Sequence, residues 1–211
     1  KKENKPHKFI VQNKIQTRPH HIKQKSQRVP NIPKLEDMKV AEKEIANQIK
    51  NELETMKWIK KNPKKDLSRW RDKDMNIEAF VLGKVWAYHS PVMVNSQYNK
   101  RYEMLYKLLK KWVKIHNPKF KYTSIQLNKS VHTHYHRDLN NIGDSYCIAL
   151  GDFEGGGIQI DFGDGEGGDG FTKDYHNKNK WLLYDGHTYL HKSIKPKGRG
   201  TRYAIIFFSR M

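Results

Sequence analysis

A chain of 211 residues and 25.0 kDa has room for one sizeable hydrophobic core with appendages. Its 41 Lys and Arg against 22 Asp and Glu give a formal charge of +19 and an isoelectric point near 9.8, which favours nucleic acid or another polyanion as partner over a merely Lys-rich surface. One cysteine, Cys147, excludes an intrachain disulfide and a thiolate zinc site, and no run approaches the roughly 18 consecutive apolar residues of a membrane-spanning helix.

Residues 1–33 are rich in Lys and Arg, contain a single acid, Glu3, and are punctuated by Pro6, Pro19, Pro30 and Pro33. Their apolar residues are few and aperiodic, so an extended or disordered basic arm is expected, either a tether along phosphates or a solvated leader. It lacks the apolar stretch of a secretory signal, so an intracellular protein is expected, nuclear if the source is eukaryotic. The first residue is Lys1 rather than Met, which suggests a piece of a longer protein.

From Lys34 to about Lys61, Leu35, Met38, Ala41, Ile45, Ile49, Leu53, Met56 and Ile59 recur at steps of three and four. That spacing predicts an amphipathic helix, begun after Pro33 and stopped by Asn62-Pro63, with its stripe against a sheet. Residues 63–76 read as a charged connector around Trp70, and Ile77 to Tyr88 as one or two strands. A second helix is predicted from Gln97 to His116, its inner face marked by Tyr98, Tyr102, Leu105, Leu108, Leu109, Trp112 and Val113.

Beyond Asn117-Pro118 the helical period vanishes. Short apolar runs follow at 122–128, 145–150, 157–162, 180–185, 188–194 and 201–209, separated by Gly, Asn and Asp. The predicted fold class is α+β, a double-stranded β-helix (jelly-roll) core backed by two N-terminal helices. The division is an arm over 1–33 and one domain over 34–211, with helical support over 34–118 and the jelly roll over 119–211. A monomer is expected. The acidic, Gly-rich stretch Gly163–Gly170 lacks the Lys-Ser/Thr of a phosphate loop and reads as a hairpin tip rather than a calcium turn.

His136-Arg137-Asp138 is a His-x-Asp, and it ends the alternation His132, His134, His136, Asp138. On an extended strand these four share one face. Three imidazoles from one strand converge poorly on a single zinc ion. The other reading pairs His136 and Asp138 with a histidine from a neighbouring strand. Two His and one carboxylate hold one face of Fe(II) and leave positions open for an organic co-substrate and O2. His191, opening a strand after Asp185-Gly186, is the third-ligand candidate, with His187 its near competitor in the turn. Arg202 opens the last hydrophobic strand, and its planar fork suits the far carboxylate of 2-oxoglutarate.

These residues resemble the Fe(II)- and 2-oxoglutarate-dependent dioxygenases, and more narrowly the TET/JBP-like branch that oxidises the methyl group of pyrimidines in DNA. The resemblance is carried by Tyr122–Asn128, His136-Arg-Asp138, Asn140–Ser145, Ile148–Gly156, Trp181–Gly186 and Gly200–Tyr203, and covers about the last ninety residues. It implies an enzyme using Fe(II), 2-oxoglutarate and O2, with metal and catalytic residues His136, Asp138 and His191. Arg202 would pair the distal carboxylate and Asn128 would help hold the co-substrate. The interval from His191 to Arg202 is longer than the family's pattern and contains Arg199, so Arg199 competes for that role. For substrate, it implies a pyrimidine methyl group in DNA, with the arm and the cluster Lys192, Lys195, Lys197 and Arg199 as phosphate clamps. Asn140 and Asn141 would meet a base edge or form a turn. The alternatives are the same iron chemistry on a protein side chain or small molecule, and a non-catalytic nucleic-acid-binding jelly roll.

Overall fold

The computed structural model describes residues 31–61, 77–87, 90, 92–163 and 171–210. Residues 1–30 of the expected arm, the connector around Trp70 and the acidic loop at 164–170 lie outside the described residues.

Strand β1 (Lys34–Asp37), a 3-10 turn (Val40–Glu42) and helix α1 (Lys43–Thr55) open the domain. The long helix expected from Lys34 is therefore shorter at both ends. Lys34–Asp37 pairs with a strand from the far end of the chain, and that tertiary pairing overrides a chance helical spacing at Leu35 and Met38. At the other end Met56 turns extended, and the Trp58 indole folds back to donate to the Leu53 carbonyl at 2.8 Å, satisfying one of the orphaned acceptors of the last turn.

Strands β2 (Lys60–Lys61), β3 (Ile77–Trp86) and β4 (Met93–Asn95) come next. The second expected helix is divided at Tyr102 into α2 (Tyr98–Arg101) and α3 (Glu103–His116). The remaining elements are strands: β5 (Ser124–Lys129), β6 (Asn141–Gly151), β7 (Glu154–Asp161), β8 (Thr172–Tyr175), β9 (Lys180–Tyr184), β10 (Leu190–Lys197) and β11 (Arg202–Arg210). The segment expected as helical support thus also supplies strands to the core.

Two sheets result. The main sheet has eight strands in the order β1-β9-β6-β11-β5-β3-β2, with β4 added beside β3, and the minor sheet has the order β10-β7-β8. All the named pairings are antiparallel. This is the double-sheet jelly roll that the sequence predicts, with α1 and α3 on one face of the main sheet.

The period of two along each strand decides what every residue meets. On β6, Tyr146, Ile148 and Leu150 join Ile49 and Leu53 of α1 and Leu105, Leu109 and Trp112 of α3 in the larger core. Tyr203, Ile205 and Phe207 of β11 do the same. Cys147, between them, packs instead with Ile158, Ile160, Tyr175, Leu182 and Tyr184 in the core between the sheets. The helices bury one sheet face, and the opposite face is left for the minor sheet and the cavity. Among the described residues no helix is long and apolar enough to cross a membrane.

One polar network ties β1 to the helix side of this sheet. Glu42 is fully buried and accepts from the Trp181 indole at 2.9 Å and from the Lys39 amide at 2.6 Å. The two ring nitrogens of His116 lie 3.3 Å from Glu42 and 2.9 Å from Glu36.

Candidate active site

His136 does not lie on a continuous strand. The alternation from His132 to Asp138 forms only one bridge, at His136, where that residue and His191 exchange two backbone hydrogen bonds of 2.9 Å. The four-residue strand face expected from the spacing is not formed, because among the described residues the segment pairs as strand only at His136. The bridge places the two rings side by side, centroids 4.5 Å apart. Asp138 reaches the same place because its amide donates to the Gly186 carbonyl at 2.8 Å.

His136, Asp138 and His191 each offer a ligand atom, all within 4.8 Å of one another. The Asp138 carboxylate lies 3.9 Å from His136 Nε2 and 3.8 Å from His191 Nε2. His136 Nδ1 faces the His134 carbonyl at 2.8 Å and His191 Nδ1 the Tyr189 carbonyl at 3.0 Å. A carbonyl only accepts, so both rings carry hydrogen on Nδ1 and turn Nε2 towards the carboxylate. Burial lowers the pKa of His191, against the pull of Asp138, and so favours the neutral ring a metal requires. Two imidazoles and one carboxylate fit a divalent transition metal with open positions.

Gly186 closes the back of this cluster. A Cβ there would stand 3.2 Å from Asp138 Oδ2, His191 Cε1 and Tyr184 Cε2, so glycine is what lets the turn pass this close. Asn141 fixes Asp138 from the other side, its amide group donating to Oδ2 at 3.2 Å and its backbone N–H to the Asp138 carbonyl at 2.9 Å.

The three residues sit in the wall of a cavity of about 200 Å3 between the sheets. Arg202, 1% exposed, lines it from the first position of β11. Its Nη2 donates to Asn177 at 3.4 Å, its Nε has no partner, and it faces no carboxylate among the described residues. Burial lowers its pKa, yet an arginine remains a cation. A buried guanidinium with neither counter-ion nor full hydrogen bonding is costly, and an incoming carboxylate would remove that cost. Asn128 also lines the cavity and accepts from Gln126 at 2.9 Å.

The other sequence candidates separate. Asn141 is buried and lines the cavity, whereas Asn140 is exposed in the turn before it. Lys192 lies over the Tyr135 ring at 4.5 Å, Lys195 and Arg199 are exposed, and none of the three lines the cavity. His187 does not line it either. Residues not foreseen are Thr133, Ser193 and Arg210, all in the wall, and Asn177, which holds Arg202. Arg210 shares the face of Arg202, Ala204 and Ile206, and counting by two along the last strand would have found it.

No family model matches the chain, and no curated protein matches it. Solved structures do. OsALKBH1 superposes with a TM-score of 0.51 at 14% identity, over 85% of this chain and 97% of that one. NgTET1 in complex with 5mC DNA gives a TM-score of 0.46 at 12% identity, over 80% of this chain and 68% of that one. An oxidoreductase of the 2OG-Fe(II) oxygenase family from Burkholderia pseudomallei gives 0.47 at 15%, over 78% of each chain. At these identities the likeness is one of fold, and the chain shares its double-sheet jelly-roll architecture with OsALKBH1.

Proposed function

We propose that the protein is an Fe(II)- and 2-oxoglutarate-dependent dioxygenase that hydroxylates a C–H bond, its substrate being the methyl group of a pyrimidine, 5-methylcytosine or thymine, in DNA. The observation that carries the chemistry is one cavity holding both a His-Asp-His cluster and a buried guanidinium without a counter-ion. Neither feature stabilises the protein alone, and a metal and a dicarboxylate together complete both. His136, Asp138 and His191 would hold Fe(II), and Arg202 would take the distal carboxylate of 2-oxoglutarate, with Asn128 beside it. Bound Fe(II), 2-oxoglutarate and O2 supply the oxidising power for C–H hydroxylation.

The chain's own residues set the conditions for that step. The two Nδ1–H bonds fix the tautomer of the imidazoles and aim them, and Asn141 holds Oδ2 of Asp138. Ile158, Ile206 and Phe208 contribute apolar surface to a wall that is otherwise largely polar. DNA as substrate is supported by the charge of +19 and by the resemblance of Asn140–Ser145 and Ile148–Gly156 to the DNA-modifying branch. A smaller substrate is favoured by the cavity volume, below the several hundred Å3 common for ligand sites.

The test is succinate release from 2-oxoglutarate with Fe(II) and ascorbate, with and without methylated DNA, alongside mass spectrometry of the nucleosides. DNA-stimulated succinate and a new hydroxylated nucleoside, both lost in Asp138→Ala, are the expected result. Succinate that ignores DNA would move the substrate elsewhere, and full turnover in Asp138→Ala would overturn the metal site.

A further inference from the structure

Helix α3 buries Leu105, Leu109, Trp112 and Val113 against the main sheet. Its opposite face carries Lys107, Lys110, Lys111 and Lys114, all exposed and at the spacing that aligns side chains along one side of a helix. The row is extended by exposed Lys100 and Arg101 of α2 and by exposed Lys119 and Lys121 after α3. Between Tyr98 and Lys121 the only acid is Glu103, which pairs with Lys107 at 2.6 Å. Among the described residues none of the other cations in this row has a carboxylate partner. Like charges three and four residues apart destabilise a helix, so this face carries a repulsion that the protein's own acids leave uncompensated.

The face also lies away from the cavity. On β11, Arg202, Ala204 and Ile206 line the cavity while Tyr203, Ile205 and Phe207 pack towards α1 and α3, so the sheet separates the two. A polymer lying on α3 is held off the cavity by the sheet and by a helix about 10 Å thick. It cannot there present a base to His136 and His191.

We propose that the lysine face of α3 is a sequence-independent nucleic-acid surface that grips the phosphate backbone on the side of the domain opposite the cavity. Lys107 to Lys114 span about 10 Å at 1.5 Å per residue, a length along which duplex DNA presents roughly six backbone charges. Flexible ammonium groups meet phosphates as point charges and need no fixed register. A membrane surface is the poorer occupant, because the face offers only Met104 as an exposed apolar side chain to insert. This surface does not rest on the chemistry proposed for the cavity. It implies that a long polymer is held at a point remote from any nucleotide entering the cavity.

The experiment is fluorescence anisotropy of the full chain with a labelled DNA duplex across a salt series, without 2-oxoglutarate or added metal. It is repeated with Lys107→Gln, Lys110→Gln, Lys111→Gln and Lys114→Gln combined. The arm is common to both proteins, so the difference isolates α3. The variant is expected to bind at least about tenfold more weakly near physiological salt, with the slope of log K against log salt reduced by about three. Its circular dichroism should be unchanged, since all four side chains are exposed. Equal affinity and slope in the two proteins would overturn the proposal, as would wild-type binding without salt dependence. Equal loss of binding to vesicles of anionic lipid would reassign the surface to polyanions at large and overturn the nucleic-acid assignment. No turnover is read, so a dead cavity would leave this result standing, and a silent α3 would leave the proposed oxygenase untouched.

Discussion

Gly186→Ala adds one carbon atom where the candidate metal cluster is most closely backed. The new Cβ would stand 3.2 Å from Asp138 Oδ2, His191 Cε1 and Tyr184 Cε2, against 3.4–4 Å for ordinary contact. Tyr184 is buried in the core between the sheets and cannot retreat. His191 is tied by its backbone bridge and its Nδ1 bond. Asp138, its side chain 34% exposed and lying in an irregular segment, is the neighbour that yields. The crowding, about 1–3 kcal/mol for an overpacked methyl, is therefore relieved by displacing a ligand rather than stored in the core. Metal affinity should fall about 10- to 100-fold, the range for losing a group that orients a ligand. The metal-free protein should melt within a few degrees of wild type, at about 2–4 °C per kcal/mol for a domain of this size. Anaerobic Fe(II) titration, or Co(II) absorption in its place, reads the first quantity, and thermal denaturation the second. Unchanged metal affinity in a folded variant would refute both the placement of Gly186 and the cluster behind it.

Arg202→Met should weaken 2-oxoglutarate binding severely while leaving the ligand-free protein as stable or more so, because replacing a buried, unpaired charge by an apolar side chain is neutral to stabilising by about 1–4 kcal/mol. Arg199→Ala should change neither quantity, and loss of binding there would transfer the carboxylate role; calorimetry and melting check both variants. Glu42→Ala leaves the buried Trp181 indole without its acceptor and removes one of two carboxylates at His116, so it should cost about 3–5 kcal/mol, measured by urea denaturation. A loss under 1 kcal/mol would mean that the network is not closed as described. The Cys147 thiol, fully buried and pushed up to about 11, should resist thiol reagents at pH 8 until denaturant is added, and rapid labelling of the native protein would contradict its burial.

The C-terminal strands were legible because they alternate. Apolar runs around Ile148, Ile158 and Ile205 marked the core strands, and a His-x-Asp followed by His191 and Arg202 marked residues that the fold brings to one cavity. Elements whose character comes from a distant partner were not legible. β8 (Thr172–Tyr175) has three exposed residues of four and no apolar rhythm, and it is a strand because β7 offers it an edge. β1 matches a helical spacing and still pairs with β9. The residues that orient the cluster, Gly186 and Asn141, fall within Trp181–Gly186 and Asn140–Ser145, yet neither stretch shows by itself that they meet Asp138. What Asn141 does for Asp138 depends on a turn of three residues, and what Gly186 does depends on a contact across the fold.

Strand β11 contributes one row of side chains to the helix-backed core and the other to the cavity. A substitution along it disturbs one row. A single-residue insertion or deletion within it would send Arg202 and its row into the apolar core, and Tyr203 and its row towards the His-Asp-His cluster, on whichever side of the lesion slips. Drift in side-chain identity is therefore tolerable here in a way that drift in length is not. An exchange of similar volume is absorbed within one row, whereas a slip of one residue exchanges what the core and the cavity receive.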